Sequence, residues 1–193
     1  MLEKIKENSA NDTYKSTGVF MCKKLNEVNG LSVKDILTKC NQEDAIPIDL
    51  DAILKVLGIL KFPSEFNELE KDKSNKKIAG LVLLHEDDIG IFYSKSASIE
   101  QKRFTIAHEL AHCCLHGDLL TNGYIEFLYN GEPETTHEKE ASIFAMELLI
   151  PEKQLRKIYK ELLKPSLKGL SEIFQVPETV MKHKLNELKL KYY

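Results

Sequence analysis

The sequence has no tryptophan, no internal repeat and no long hydrophobic stretch. A transmembrane helix needs about 20 consecutive, mostly apolar residues, so we expect a protein that does not enter the membrane. Residues 1–15 are polar and charged, and they lack the apolar core of a secretory signal. Together these absences predict a cytoplasmic protein.

Cysteine is scarce, and its spacing does not fit a structural metal site. The four residues, Cys22, Cys40, Cys113 and Cys114, include no C-x-x-C pair, which excludes the common zinc-finger patterns. A reducing compartment also disfavours disulfides. We therefore expect the cysteines to act as small, buried apolar side chains.

The net charge of −3 does not indicate a nucleic-acid partner by itself. The charge is unevenly distributed, however, because the segment from Glu152 to the end holds ten Lys or Arg and five Glu. A basic C-terminal segment on an acidic body makes nucleic acid a conceivable partner, but not the favoured one.

Hydrophobic spacing predicts an α+β fold. A short helix follows Pro47 and stops at Gly58. Two strand-like runs, Ile78–Leu84 and Ile89–Tyr93, are separated by four polar residues and predict a β-hairpin. Further helices are predicted along the rest of the chain, up to the C-terminus. This order of elements favours one sheet with packed helices.

Two of these later helices begin with capping-box patterns. Ser98 with Gln101 opens a helix that should end near Gly117, and Thr135 with Glu138 opens the next. In a capping box the third helical residue turns its side chain back to the preceding backbone. Glu138 is therefore expected to have a structural role.

The segment His108-Glu109-Leu110-Ala111-His112 carries the strongest chemical signal. Residues four apart lie on one face of a helix, so His108 and His112 can direct both imidazoles at one metal ion. Glu109 is rotated aside and can act as a general base toward water. Two histidines and a glutamate on an otherwise apolar helix are costly to bury without a partner. The pattern therefore predicts a zinc-dependent hydrolase.

A catalytic zinc ion usually has three protein ligands and an open position. The extended pattern H-E-x-x-H-x-x-G-x-x-H does not fit, because Leu115 and Asp118 occupy its glycine and last histidine positions. A glutamate from the helix over residues 135–149 is the alternative. We predict Glu140, one turn into that helix. Glu138 is the fallback, because its expected capping role competes.

Three other side chains near these motifs are candidates for supporting or substrate-binding roles. His116 lies one turn beyond His112, where a local structural role is the favoured alternative. His137 could support a ligand or donate a hydrogen bond in the transition state. Tyr124 could supply a hydroxyl group, with a purely structural role again favoured.

Taken together, these motifs resemble the ImmA/IrrE family of metallopeptidases, over roughly residues 45–190. The segments that carry the resemblance are Arg103–His112, Leu115-His116 and Glu138–Pro151. The resemblance implies a zincin-like core, made of a hairpin or small antiparallel sheet and the active-site helix. It also implies Zn²⁺ bound by His108, His112 and Glu140, with Glu109 as the base.

The resemblance further implies a function. The protein would cleave a partner regulator, commonly a helix-turn-helix repressor, and so act as an anti-repressor in a phage, mobile-element or stress-response system. An extended substrate would align by strand addition on the hairpin's edge strand, predicted over Ile89–Tyr93.

Three segments are expected: an N-terminal, helical extension over residues 1–44, the zincin-like core over 45–151, and a helical segment over 152–193. The last segment resembles a helix-turn-helix, with Lys182 and Lys184 on its second helix. Helices packed on the peptidase core are the favoured alternative, because one such pattern without a strong basic face is weak evidence for DNA binding. A second hypothesis is therefore a DNA- or regulator-binding module, for example a toxin–antitoxin component, with a sensory or structural zinc site. Structural zinc usually has four ligands, often cysteines. The sequence offers no such set, so the peptidase hypothesis ranks first.

Overall fold

The computed structural model describes residues 23–66, 78–85, 88–120, 127–129 and 135–193. Within these ranges the chain has an α+β architecture, as predicted. None of the helices found there is long and apolar enough to cross a membrane. The helices are α1 (Lys23–Val28), α2 (Val33–Lys39), α3 (Leu50–Leu57), α4 (Ile99–Leu115), α5 (Thr136–Leu149), α6 (Glu152–Glu161), α7 (Leu167–Phe174) and α8 (Glu178–Glu187). The strands are β1 (Leu60–Ser64), β2 (Ile78–His85), β3 (Asp88–Ser94) and β4 (Phe127–Tyr129).

Local signals explain where α3 begins and ends. The Asp49 carboxylate accepts a hydrogen bond from the backbone N–H of Ala52, at 3.0 Å, which satisfies a donor at the helix start. Gly58 ends the helix in the left-handed conformation, at φ 68°, which glycine adopts without steric cost. The predicted helix between Pro47 and Gly58 is confirmed. Of the predicted extension over residues 1–44, the described part begins at residue 23 and contains α1 and α2.

The strands form one sheet in the order β1-β3-β2-β4. The predicted hairpin is confirmed, because β2 and β3 pair antiparallel. The sheet is mixed, however, and not purely antiparallel, because β1 pairs parallel to β3. The prediction that Ile89–Tyr93 forms an edge strand is wrong. This run lies in β3, between β1 and β2, so its backbone is already paired on both sides.

The sequence signals for β1 and β4 are weak. Pro63 interrupts β1, and proline cannot donate to a strand ladder, so it is confined to edge strands or bulges. The position of β1 at the edge of the sheet agrees with that rule. Strand β4 spans only three residues, which is too short for an alternating pattern to stand out.

Helix α4 lies between the sheet and α5, with β2 and β3 on one side and α5 on another. Every residue from Thr105 to Cys114 is buried. A helix that is covered all round shows no polar stripe, which explains why small and apolar residues surround the two histidines. The H-E-x-x-H segment therefore lies in the interior of the domain.

Hydrogen bonds to neighbouring segments hold both ends of α4. The Arg103 guanidinium donates to the backbone oxygens of Ile48 at 2.7 Å and Gln175 at 3.1 Å. At the other end, the Gly30 N–H donates to the Cys114 carbonyl at 2.7 Å. The second bond satisfies one of the carbonyl groups that a helix end leaves without an intrahelical partner.

The C-terminal helices contribute to the same hydrophobic core. Leu170 and Phe174 of α7 and Met181 and Leu185 of α8 are buried in it. Lys184 is also buried, and its ammonium group lies 3.1 Å from the Glu187 carboxylate. Of the cations proposed to contact DNA, Lys182 is exposed and Lys184 is not. These buried contacts are those expected if α7 and α8 pack on the core of the domain.

Candidate metal centre

The two histidines of the motif are presented by the middle of α4. The helix starts with a complete capping box. The Ser98 hydroxyl accepts from the Gln101 N–H, and the Gln101 side chain accepts from the Ser98 N–H. From this start His108 and His112 follow on one face of the helix, and both are buried. Their Nε2 atoms lie 3.0 Å apart.

A carboxylate from α5 completes the cluster. Glu138 Oε2 lies 3.1 Å from Nε2 of His108, and Oε1 lies 3.4 Å from Nε2 of His112. Ligand atoms about 2.0–2.1 Å from a tetrahedral zinc ion are about 3.3 Å from each other. The observed separations match that spacing. Two imidazoles and one carboxylate are also a known ligand set of catalytic zinc, so these residues fit the ion.

The electrostatics of Glu138 suit a metal ligand. Burial by itself would raise the pKa of this carboxyl. Its hydrogen bonds to His108 and His112, and the positive charge those rings can carry, act the other way and lower the pKa to about 2. The group is therefore a carboxylate at neutral pH, with only 12% of its side chain exposed.

The predicted capping box at the start of α5 is only half formed. The Thr135 hydroxyl accepts from the Glu138 N–H at 3.2 Å, but the Glu138 carboxylate turns toward the histidines. Glu140, the ligand predicted from the sequence, has its carboxylate 3.0 Å from Nε2 of His116 and is 51% exposed. The carboxylate beside His108 and His112 is thus that of the fallback residue, Glu138.

One contact on the outer side of the cluster was not predicted from the sequence. The Ser142 hydroxyl lies 3.3 Å from Nδ1 of His108. Metal-binding histidines usually hold their second ring nitrogen in such a hydrogen bond, which fixes the ring orientation. Ser142 follows Glu138 by four residues, on the same face of α5. This four-residue spacing is the sequence signal from which the contact could have been predicted.

The supporting residues predicted from the sequence have different positions. His116 is buried, and its Nδ1 lies 3.1 Å from Nδ1 of His112. His137 is exposed, with its ring 4.7 Å from that of His116 between centroids. Tyr124 lies outside the described residues.

Glu109 is buried beside strand β2. A Cβ atom added to Gly80 would lie 2.7 Å from Oε1 of Glu109 and 2.4 Å from Cγ2 of Thr105. The absent side chain at Gly80 therefore leaves the space that the Glu109 carboxylate occupies. An isolated glycine in a strand is a signal for such close approach.

Comparison with known families agrees with this geometry. The family model Peptidase_M78, described as an IrrE N-terminal-like domain, matches residues 69–186. The match covers more than half of the chain and includes the hairpin, α4 and α5. No curated protein matches the chain.

Proposed function

The chain belongs to the IrrE N-terminal-like family of peptidases, and from this premise we propose that it is a zinc-dependent endopeptidase. The proposed ligands are His108, His112 and Glu138. The observation that carries the proposal is the convergence of their donor atoms, which all lie within 4.8 Å of one another. Three protein ligands leave the open position that a catalytic site requires.

A zinc ion bound by these three residues would polarise the scissile carbonyl and make water a stronger nucleophile. Glu109, next in sequence to His108, is the proposed general base. It takes a proton from the attacking water and delivers it to the leaving amine. Burial of the whole segment removes competing bulk water from the reacting groups.

We further propose that the substrate is a regulatory protein of the helix-turn-helix class. The resemblance to the ImmA/IrrE family supports this substrate class, and membership of a peptidase family requires a protein or peptide substrate of some kind. Cleavage of a repressor would induce the genes that it controls.

Co-expression with the product of the neighbouring gene tests the function. Wild type, Glu109→Gln and Glu100→Gln would be compared by intact-mass analysis of the partner. Glu100 lies on the same helix, away from the motif, and provides a matched Glu-to-Gln control. We expect a defined fragment with wild type and Glu100→Gln.

The Glu109→Gln variant should bind zinc but cleave at least about 100-fold more slowly, because general-base catalysis contributes about that much or more. Adding a zinc chelator to wild type should also stop cleavage. Cleavage by Glu109→Gln at the wild-type rate would refute the proposed mechanism.

A further inference from the structure

A chain of polar contacts leads away from the proposed metal site. Nδ1 of His112 lies 3.1 Å from Nδ1 of His116, and Nε2 of His116 lies 3.0 Å from Oε2 of Glu140. His116 is only 6% exposed. The contacts therefore connect a buried ring to a carboxylate at the surface of the domain.

The hydrogen-bonding capacity of these groups fixes where the protons lie. An ionised carboxylate only accepts hydrogen bonds, so Nε2 of His116 must donate to Glu140. In a neutral imidazole the other ring nitrogen is then an acceptor. Nδ1 of His116 therefore accepts. In the metal-binding form of His112, whose Nε2 no longer donates to Glu138, Nδ1 carries the ring's hydrogen and donates it to His116.

This order of protons has a consequence at the metal site. When Nδ1 of His112 carries the hydrogen, Nε2 of the same ring presents its lone pair. Nε2 is the atom that faces Glu138 and His108. The carboxylate of Glu140 thus selects, through His116, the form of His112 that can bind a metal.

We propose that Glu140 and His116 are positioning residues, which set the tautomer and ring orientation of His112. The inference rests on the proposed function, because it assigns roles around the same zinc site. It also gives Glu140 a role other than metal binding. Outer partners of metal-ligating histidines commonly change metal affinity by about 10- to 100-fold when removed.

Zinc affinity, measured by competition with a chromogenic chelator, tests the proposal without requiring a substrate. We expect Glu140→Ala and His116→Phe each to weaken zinc binding about 10- to 100-fold. Glu140→Gln should stay near wild type, because its amide oxygen can still accept from His116. The double variant should be no weaker than His116→Phe alone, because Glu140 acts through that ring.

Two substitutions serve as matched controls. Glu147→Ala removes an exposed carboxylate from the same helix, and His183→Phe replaces an exposed histidine on α8. Both should leave zinc affinity unchanged. Thermal melting of the metal-free variants would show whether each is folded. If His116→Phe does not fold, Glu140→Ala still tests the proposal, because Glu140 is half exposed and its replacement should not disturb the core.

Affinities of Glu140→Ala and His116→Phe within twofold of wild type would overturn the proposal. It would also be overturned if Glu140→Gln were as weak as Glu140→Ala, since charge and not the hydrogen bond would then be responsible. A wild-type protein that binds no zinc would instead refute the proposed function, so the two failures are distinguishable.

Discussion

Gly80 of β2 and Glu109 of α4 are packed so closely that a methyl group at residue 80 would lie 2.7 Å from the Glu109 carboxylate. Gly80→Ala should therefore displace Glu109 and Thr105. We expect cleavage to fall at least about 10-fold, and overpacking to lower the free energy of unfolding by about 1–3 kcal/mol. Zinc affinity should change little, because the atoms nearest to the added methyl group belong to Thr105 and Glu109 and not to the proposed ligands. Cleavage kinetics, zinc titration and denaturant unfolding measure the three effects.

Gly90→Ala is the matched control, since Gly90 lies on the neighbouring strand. The three atoms nearest to an added Cβ there would be two phenylalanine ring carbons, at 3.2 and 3.4 Å, and one backbone oxygen, at 3.7 Å. This variant should retain cleavage. If Gly80→Ala and Gly90→Ala lost cleavage equally, the loss would come from general disturbance of the sheet and not from displacement of Glu109.

The two lysines of α8 should behave differently when each is replaced by alanine. Lys184 is buried and paired with Glu187, so Lys184→Ala should lower the free energy of unfolding by about 1 kcal/mol or more, through lost packing and pairing. Lys182 is exposed, and Lys182→Ala should change stability by less than about 0.5 kcal/mol. Urea unfolding gives both values.

The same pair of variants tests the DNA-binding hypothesis. Duplex binding at low salt that both variants weaken would favour that hypothesis. A structural role for α8 in the core predicts instead that neither variant changes cleavage under conditions where it is folded.

The buried thiols should be unreactive in the folded protein. Burial raises the pKa of Cys114 to about 12 and also raises that of Cys40. Because the pKa of Cys114 in the folded protein exceeds the ordinary thiol value of 9.0, this thiol stays protonated as the pH rises through 9, where the same thiol in an unfolded chain is already half ionised. Alkylation at pH 9, read by intact mass, should leave both residues unmodified until denaturant is added.

Zinc removal provides the control for that experiment. No cysteine is among the proposed ligands, so chelation should not expose Cys40 or Cys114 in a protein that remains folded. Rapid labelling of Cys114 in native protein would contradict its burial in the core.

Elements with strong local signals could be predicted from the sequence. The Asp49 cap and Gly58 stop define α3, and the Ser98 capping box defines the start of α4. The hairpin follows from two β-rich runs of apolar residues. The position of β3 inside the sheet could not be predicted, because it depends on β1. That strand contains Pro63 and joins through contacts that are distant in sequence.

Which of Glu138 and Glu140 lies beside the two histidines could not be predicted from the sequence, for a different physical reason. The third residue of a helix can turn its carboxylate back to the cap, as Gln101 turns its amide in α4, or toward a tertiary partner. The capping-box pattern in the sequence does not distinguish these two directions. At Glu138 the direction is set by the packing of α5 on α4, where two imidazoles offer stronger interactions than one backbone N–H.

The most direct test of the metal centre compares zinc binding by Glu138→Ala and Glu140→Ala, two carboxylate losses only two residues apart on one helix. Glu138→Ala removes a proposed ligand, so its affinity should fall by more than the roughly 10- to 100-fold expected for an outer partner. Glu140→Ala should remain within that range. Wild-type affinity in Glu138→Ala, with zinc binding abolished in Glu140→Ala, would contradict the account.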